Sequence, residues 1–313
     1  MSGQLGFGDG WISARVGHNA MLERLAGEVK WYRFEKLLGC LKPEGAGRPA
    51  FDPLMMLKAL LLQQWYRLSD AELEEAINDR VSFRKFLGLS LQAPCPDHTT
   101  LCRFRTRLAE AGLSDKVFAE FERQLEARGL LLKRGTMVDA SLVATPHRPA
   151  APGKEAVDPD AAVTARKGRP GLHYGYKMHA GVDRTSRLIR RVVLTPANIN
   201  DTVPADRLIC GDEAAVYADK AYAKRSRRAA LKAQGIKARI MHKSWGGGPA
   251  LTAWQRRHNA LIAPIRAEVE GVFATLKRWF GWSRVRYRGV AKNESHLHLA
   301  ATAYNMKRAL KLA

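Results

Sequence analysis

Two hydrophobic periodicities divide the chain. Between residues 22 and 128, apolar residues recur every three to four positions, which predicts amphipathic helices. From Arg134 onward apolar and polar residues alternate instead, first in TMVDASLV, which predicts β-strands. We therefore predict an all-α domain over residues 1–132 and an α/β domain over residues 133–313, with a change of secondary structure near residues 129–135.

Sequence signals for helix ends place several helices in the first half. Ser69 and Glu72 have the spacing of a capping box, and Asp97 is the candidate N-cap of a helix that runs to residue 110. Ser114 is the candidate cap of the last helix of this domain. The first half is therefore expected to be a set of short, capped helices.

Two aspartates in the second half stand at unusual positions in predicted strands. Asp139 lies inside TMVDASLV, where aspartate is disfavoured and an unpaired buried carboxylate is costly. YGYKMHAGVD and RLIRRVVLT follow as an antiparallel pair with a turn at Asp183-Arg184. Asp219 directly follows AAVYA, a continuous apolar run typical of a buried strand, and ligands bind at such strand ends in open α/β sheets.

A third acid lies on a helix. The stretch IAPIRAEVEGVFATLKRWF, residues 262–280, predicts one amphipathic helix with Arg266, Glu270 and Lys277 along one edge of its apolar arc. A carboxylate at the rim of a buried face lies where a cleft would open, so Glu270 is a candidate site residue. The alternative is an ordinary surface ion pair, since Arg266 and Glu270 are four residues apart and such pairs stabilise a helix by only a few tenths of a kcal/mol.

Together, Asp139, Asp219 and Glu270 could hold two divalent ions. Carboxylates suit Mg²⁺, and two such ions about 4 Å apart can activate a water and stabilise the leaving oxygen in phosphodiester displacement. No cysteine or histidine cluster offers a rival site. Asp201 is better explained as the N-cap of a helix over residues 202–209. Three other acids fit the metal role by spacing alone: Asp183, Asp201 and Asp212.

The formal charge of +22 is concentrated in the second half. Residues 1–132 hold 18 Lys and Arg against 17 Asp and Glu, whereas residues 133–313 hold 34 against 13. Such an excess predicts a nucleic-acid partner. No lipidation motif, long basic amphipathic helix or membrane-length apolar run favours a membrane instead, and without a secretion signal we expect a cytoplasmic protein. The four cysteines include no CxxC pair, which favours reduced thiols.

The helix predicted over residues 96–110 is a candidate for reading DNA. It carries Arg103 and Arg105 as candidate DNA contacts, and helix-turn-helix modules place such a basic helix in a groove. The alternative is a solvated basic face in an all-α domain.

These motifs together resemble bacterial insertion-sequence transposases of the DDE type, nearest the insertion-sequence-five group. MVDASLV is similar to the family's first-Asp strand, VYADKAY to its second, and RAEVEGVFATLKRW to its Arg-x3-Glu-x6-Lys signature. Residues 51–108, ending in PDHTTLCRFRTRL, resemble its N-terminal helical domain. One departure is Ala263, where the broader signature has a tyrosine, which bears on how the terminal base is held.

The resemblance implies an RNase H-like, mixed-sheet catalytic domain with a basic C-terminal tail, preceded by a helical domain for DNA binding or multimerisation. Asp139, Asp219 and Glu270 would be the catalytic, metal-binding triad for Mg²⁺ or Mn²⁺, and Arg266 and Lys277 would contact the DNA end. The 51 residues from Asp219 to Glu270 leave no room for a large inserted domain.

The implied activity is that of a transposase of the bacterial nucleoid, acting on double-stranded DNA as a homodimer or higher multimer. It would bind the terminal inverted repeats of its insertion sequence, hydrolyse phosphodiester bonds with two Mg²⁺ ions and join the 3′-OH ends to target DNA. Two alternatives stay open: a non-catalytic DNA-binding protein derived from a transposase, and a Mg²⁺-dependent nuclease of the same fold.

Overall fold

The computed structural model describes residues 16–42, 50–151, 153–165, 171–244 and 249–313. Residue contacts separate two compact units. The helical unit comprises the residues up to Gln124 together with His298–Ala313, and the sheet unit comprises Leu125–Leu297. None of the helices in these described ranges is long and apolar enough to cross a lipid bilayer.

Seven helices precede the first strand in the described part of the chain. Their bounds are α1 (Ala20–Glu28), α2 (Trp31–Leu38), α3 (Pro53–Tyr66), α4 (Asp70–Asp79), α5 (Val81–Leu87), α6 (His98–Glu110) and α7 (Leu113–Ala127). The capping box of Ser69 and Glu72 on α4 is confirmed, and so is Asp97 as the N-cap of α6. The predicted cap at Ser114 is wrong, because α7 already begins at Leu113.

The C-terminal residues pack in a different unit from the one predicted. The sequence reasoning assigned them to the second domain as a basic tail, whereas His298–Ala313 belong to the helical unit. Apolar burial accounts for this, since Leu299 and Met306 are fully buried and the Trp65 indole N–H donates to the Ala303 carbonyl at 2.9 Å. The tail therefore contributes part of a helix to the core of that unit.

The sheet unit holds six strands in its described residues and three helical segments longer than one turn. The strands are β1 (Thr136–Ala144), β2 (Ala162–Ala165), β3 (Leu172–Asp183), β4 (Ile189–Pro196), β5 (Ala215–Ala218) and β6 (Lys237–Ile240). The helices are α8 (Arg225–Ala233), α9 (Ala253–Trp279) and α10 (Val290–Leu312), the last of which ends among the residues of the helical unit.

The sheet is mixed, which confirms the predicted α/β class with a mixed sheet. Strand β1 lies antiparallel to β3 and parallel to β5, β3 also pairs antiparallel with β2 and β4, and β6 extends the parallel side. The predicted hairpin of β3 and β4 is confirmed, and Asp183 closes its turn by accepting from the Ser186 N–H at 2.8 Å. The predicted helix over 202–209 is only a short 3₁₀ turn, Ala205–Leu208.

Alternation along β1 separates its two faces. Val138 joins Val216, Leu231 and Ile240 in the core cluster that α8 covers. The neighbouring residue Asp139 reaches α9 instead, where Arg266 binds it. The period-two pattern thus places one carboxylate on the face that carries the long helix, as the alternation of TMVDASLV predicts.

Helix α9 is longer than the predicted helix. It begins at Ala253 with a capping box between Thr252 and Gln255 and continues through Pro264. The apolar pattern predicted a start at Ile262, and Pro264, which lacks a backbone N–H, lies inside the observed helix without ending it. The observed helix therefore extends the element that carries Glu270 by nine residues toward the N-terminus.

A buried carboxylate holds the loop after β1 in place. Asp158 is fully buried and accepts hydrogen bonds from the Tyr176 hydroxyl at 2.6 Å and the Gly289 N–H at 3.1 Å. Burial, and next the carboxylate itself, raise the pKa of Tyr176, so its hydroxyl stays protonated and donates. Asp158 thereby links this loop to β3 and to the segment before α10.

We expect Tyr176→Phe to lower the free energy of unfolding by about 1–3 kcal/mol, because it deprives a buried carboxylate of a donor. Tyr174→Phe is the matched control, since its half-buried hydroxyl donates only to the Asp158 carbonyl at 3.2 Å. Urea denaturation of both variants measures the difference. Equal losses of stability would contradict the role given to the buried carboxylate.

Candidate active site

Two of the three predicted acids directly follow paired residues on adjacent strands of the sheet. Val138 of β1 pairs with Ala218 of β5 in parallel register, so Asp139 and Asp219 follow at the same level on neighbouring strands. Such strands lie about 4.8 Å apart. Asp139 accepts from the Ala140 N–H at 2.8 Å, and Asp219 caps the following 3₁₀ turn. The parallel register therefore brings together two carboxylates that are distant in the sequence.

Arg266 connects the third acid to the first. Its Nη1 donates to Asp139 Oδ2 at 2.7 Å and its Nη2 donates to Glu270 Oε1 at 3.1 Å. The Arg266 side chain is mostly buried, whereas that of Glu270 is 63% exposed. The ion pair considered as an alternative in the sequence does exist. It also extends to a strand residue, so one guanidinium joins α9 to β1.

The charges at this position are not fully balanced. Burial raises the pKa of Asp139 to about 6, against the Ala140 N–H and Arg266, which lower it. The negative charges of Asp219 and Glu270 raise it further. Both neighbouring carboxylates therefore act electrostatically on Asp139, and a second cation would find a favourable potential beside it.

The three acids are nevertheless spread more widely than the ligands of a single closed metal site. Among the described residues, one set of acidic and cysteine side chains has its ligand atoms all within 4.8 Å of one another: Cys210, Asp212 and Glu213. Arg266 lies between Asp139 and Glu270 and supplies the positive charge there. Two of the three carboxylates are therefore bridged by an arginine side chain.

The cluster at Cys210 is a structural network. Asp212 pairs with Arg190 at 2.8 Å and with Lys133 at 2.7 Å. Burial raises the pKa of Asp212, but hydrogen bonds from Arg190 and Lys133 outweigh it and hold this pKa below its usual range. Glu213 accepts from the backbone N–H of Cys210. These acids already have cationic or backbone partners.

A basic cleft of about 730 Å³ opens beside Asp219. Lys277, predicted from the helix pattern, lines it, and so does Lys177, whose Nζ donates to Asp201 at 2.9 Å and to the Ile199 carbonyl at 2.8 Å. Asp201 is therefore an ion-pair partner here, not the cap of a helix. The cleft-lining lysines are Lys177, Lys220, Lys243 and Lys277.

Three of these lysines, Lys177, Lys220 and Lys243, were not predicted from the sequence. Lys177 carried a usable signal, because lysine is depleted inside strands, as aspartate is at Asp139. Lys220 begins a single 3₁₀ turn and Lys243 lies outside the strands and helices, in a chain whose second half is rich in basic residues. Only the fold distinguishes them from other surface lysines.

The two arginines of α6 have different surroundings. Arg103 is exposed. Arg105 is only 6% exposed, and it forms an ion pair with Asp70 and donates to Gln63 Oε1 at 3.3 Å. Burial and these partners correct the prediction of a DNA contact at Arg105, because its guanidinium is committed to the core of the helical unit.

Two family models match the sequence of this chain. A model described as "Transposase DDE domain" matches residues 131–306, more than half of the chain. A second, described as "Transposase domain (DUF772)", matches residues 11–107. The chain belongs to the DDE transposase family. The predicted resemblance to DDE-type insertion-sequence transposases is thereby confirmed at the level of the family.

Two solved transposase structures show weaker similarity. A cryo-EM structure of a piggyBac transposase synaptic complex with hairpin DNA is 9% identical, with a TM-score of 0.47 over 95% of this chain and 76% of that chain. A crystal structure of a pre-cleavage Mos1 transpososome is 13% identical, with a TM-score of 0.21 over 90% and 83%. Since both TM-scores lie below 0.5, the family assignment rests on the family models.

Replacing Arg105 by alanine is expected to lower the free energy of unfolding by about 2–3 kcal/mol, because Asp70 loses its cation in a partly buried position. Arg103→Ala on the same helix is the control and should change it by less than about 0.5 kcal/mol. Denaturant titration gives both values. The structural role of Arg105 fails if its alanine variant unfolds like wild type and loses DNA affinity.

Proposed function

We propose that this transposase cuts DNA and transfers the cut strand at the cleft beside Asp219, with Asp139, Asp219 and Glu270 as catalytic residues. The observation that carries the proposal is the convergence of the three acids. Parallel register aligns Asp139 with Asp219, and Arg266 ties Glu270 to Asp139. The mixed sheet supports the finer proposal of an RNase H-like domain. The spacing of Arg266, Glu270 and Lys277 supports a place near the insertion-sequence-five group.

The residues present fit a divalent cation. Asp139, Asp219 and Glu270 offer the carboxylate oxygens that Mg²⁺ and Mn²⁺ accept. Burial is the main cause of the raised pKa of Asp139, and the negative charges of Asp219 and Glu270 add to it. When bound, two such ions activate water and stabilise the leaving oxygen of a phosphodiester. The Ala140 N–H orients one oxygen of Asp139, and Arg266 holds the other toward Glu270.

The basic surface of the cleft supports DNA as the substrate. Lysines that line the same space as Asp219 place ammonium groups where phosphates on either side of a scissile bond would lie. Lys277 would contact the DNA end from α9, and the exposed Arg103 would contribute to recognition of the terminal inverted repeats. Joining the 3′-OH to target DNA requires two DNA segments, which is consistent with a homodimer or higher multimer.

Asp139→Asn, Asp219→Asn and Glu270→Gln should each abolish Mg²⁺-dependent cleavage while DNA binding persists, because each loses a ligand charge without a change of shape. Glu268→Gln, two residues from Glu270 and paired with Arg187, is the control and should cleave like wild type. Cleavage and gel-shift assays on the same end DNA decide the outcome. A variant that cuts at the normal rate would remove its residue from the triad.

Arg266→Ala and Lys277→Ala should separate the metal site from the DNA contact. Because Arg266 shares its carboxylates with the proposed ion, its alanine variant should melt at a lower temperature without metal and gain more from Mg²⁺ than wild type does. Lys277→Ala should respond to Mg²⁺ like wild type but bind DNA with a salt slope smaller by about one.

Thermal unfolding across a Mg²⁺ titration and DNA binding across a salt series make these measurements. If both variants gain equally from Mg²⁺, Arg266 and the ion do not share the same carboxylates. An unchanged salt slope for Lys277→Ala would remove that lysine from the DNA contact.

A further inference from the structure

An exposed aromatic cluster lies at the start of α9, outside the triad. The Trp254 ring stacks on His258 with centroids 5.2 Å apart and planes 23° from parallel. His242 packs edge-on against both rings, at 5.3 Å from Trp254 and 5.0 Å from His258. Trp254 is nevertheless 65% exposed. A large apolar ring, supported from behind, is thus presented to solvent.

The cluster is held rigidly. Asn259, one turn beyond Gln255 on α9, accepts from the His242 N–H at 2.7 Å and donates to the His242 carbonyl at 3.0 Å. This pair of hydrogen bonds fixes the segment just after β6 to the helix, and the capping box at Thr252 fixes the first helical turn. Trp254 therefore has a preorganised support, which lowers the entropic cost of binding a flat partner.

The histidines behave as neutral aromatic supports. Burial first, and then the charge of Arg228, lower the pKa of His242. The same two causes, together with His242 and Arg239, lower the pKa of His258. His242 Nε2 is buried and has no hydrogen-bond partner among the residues that the structure describes. Both rings are therefore uncharged at neutral pH, and the positive charge comes from the arginines around them.

The charged residues of the surrounding sequence are all basic. Residues 220–267 contain twelve Lys and Arg and no Asp or Glu. Lys243, the residue after His242, lines the cleft beside Asp219, so the cluster adjoins the space proposed for DNA. Aromatic rings set among cations are how proteins bind unpaired nucleotides, with the bases stacked and the phosphates neutralised.

We propose that Trp254, supported by His258 and His242, is a stacking platform for an unpaired base of the DNA in the cleft. The proposal rests on the proposed action on DNA and adds a second contact to it. Sixteen residues of α9 separate Trp254 from Glu270, or about 24 Å along the helix. The platform therefore engages a base several nucleotides from the scissile phosphate.

The test uses the full-length protein without metal and two short DNA duplexes of equal paired length. One is blunt, and the other carries a single-stranded overhang with 2-aminopurine in it. Wild type should bind the overhang duplex more tightly and quench the 2-aminopurine. Trp254→Ala should bind it about 5- to 150-fold more weakly, the range expected for one stacked base, with unchanged affinity for the blunt duplex.

Two further variants separate stacking from general effects. Trp254→Phe keeps an aromatic face and should retain most of the preference and quenching. Trp279→Ala is the matched control, because Trp279 ends the same helix, is 60% exposed and contacts Arg278 rather than a histidine. It should behave like wild type.

The platform is refuted if Trp254→Ala keeps the overhang preference, or if Trp279→Ala loses it equally. It is also refuted if Trp254→Ala changes the oligomeric state in size-exclusion chromatography while DNA binding stays the same, since Trp254 would then be a protein contact. The binding assay needs no metal and no cleavage. A failure here therefore leaves the triad intact, and a failure of the triad variants leaves this result unaffected.

Discussion

One guanidinium joins the two halves of the candidate site. Arg266 on α9 binds Asp139 on β1 and Glu270 one turn along its own helix. A buried carboxylate inside a strand is costly unless it has a partner, and this arginine provides one. The ion pair with Arg266 thereby offsets the cost of burying Asp139. It also fixes the position of α9 along the sheet. The position of Glu270 depends on that contact.

Arg266 and the cleft lysines differ in how deeply their positive charges are buried. Arg266 is largely buried and faces carboxylates, whereas Lys220 and Lys243 are exposed at the cleft. Buried cations stabilise local geometry, while exposed cations attract phosphate from a distance and are screened by salt. The net charge of the sequence does not distinguish these roles. Burial does, as it does for Arg105 in the helical unit.

Local signals in the sequence were sufficient for much of the fold. The capping box at Ser69, the alternation around Asp139 and the apolar run before Asp219 are each encoded within a few residues, and each predicted its element. The prediction failed where distant packing decides. Helix α9 begins nine residues before the predicted start and continues through Pro264. The last residues of α10 belong to the helical unit, because their apolar side chains are buried among helices that are distant in the sequence.

The site shows the same limit. Each of the three acids was predicted separately, from its position in a strand or on a helix face. The sequence does not predict that β1 and β5 pair in the register that aligns Asp139 with Asp219. The aromatic cluster was missed for a similar reason. His242 and Trp254 are twelve residues apart in the sequence, and hydrogen bonds from Asn259 hold His242 against α9.

The parallel pairing of β1 with β5 also bears on synthesis of the protein. The two aligned aspartates are 80 residues apart, and Glu270 follows 51 residues later. Contacts between such distant segments form late in folding, after a large loss of chain entropy. A chain still emerging from the ribosome has its N-terminal helices long before it has all three acids. The candidate site therefore assembles only after the segment that carries Glu270 has been made.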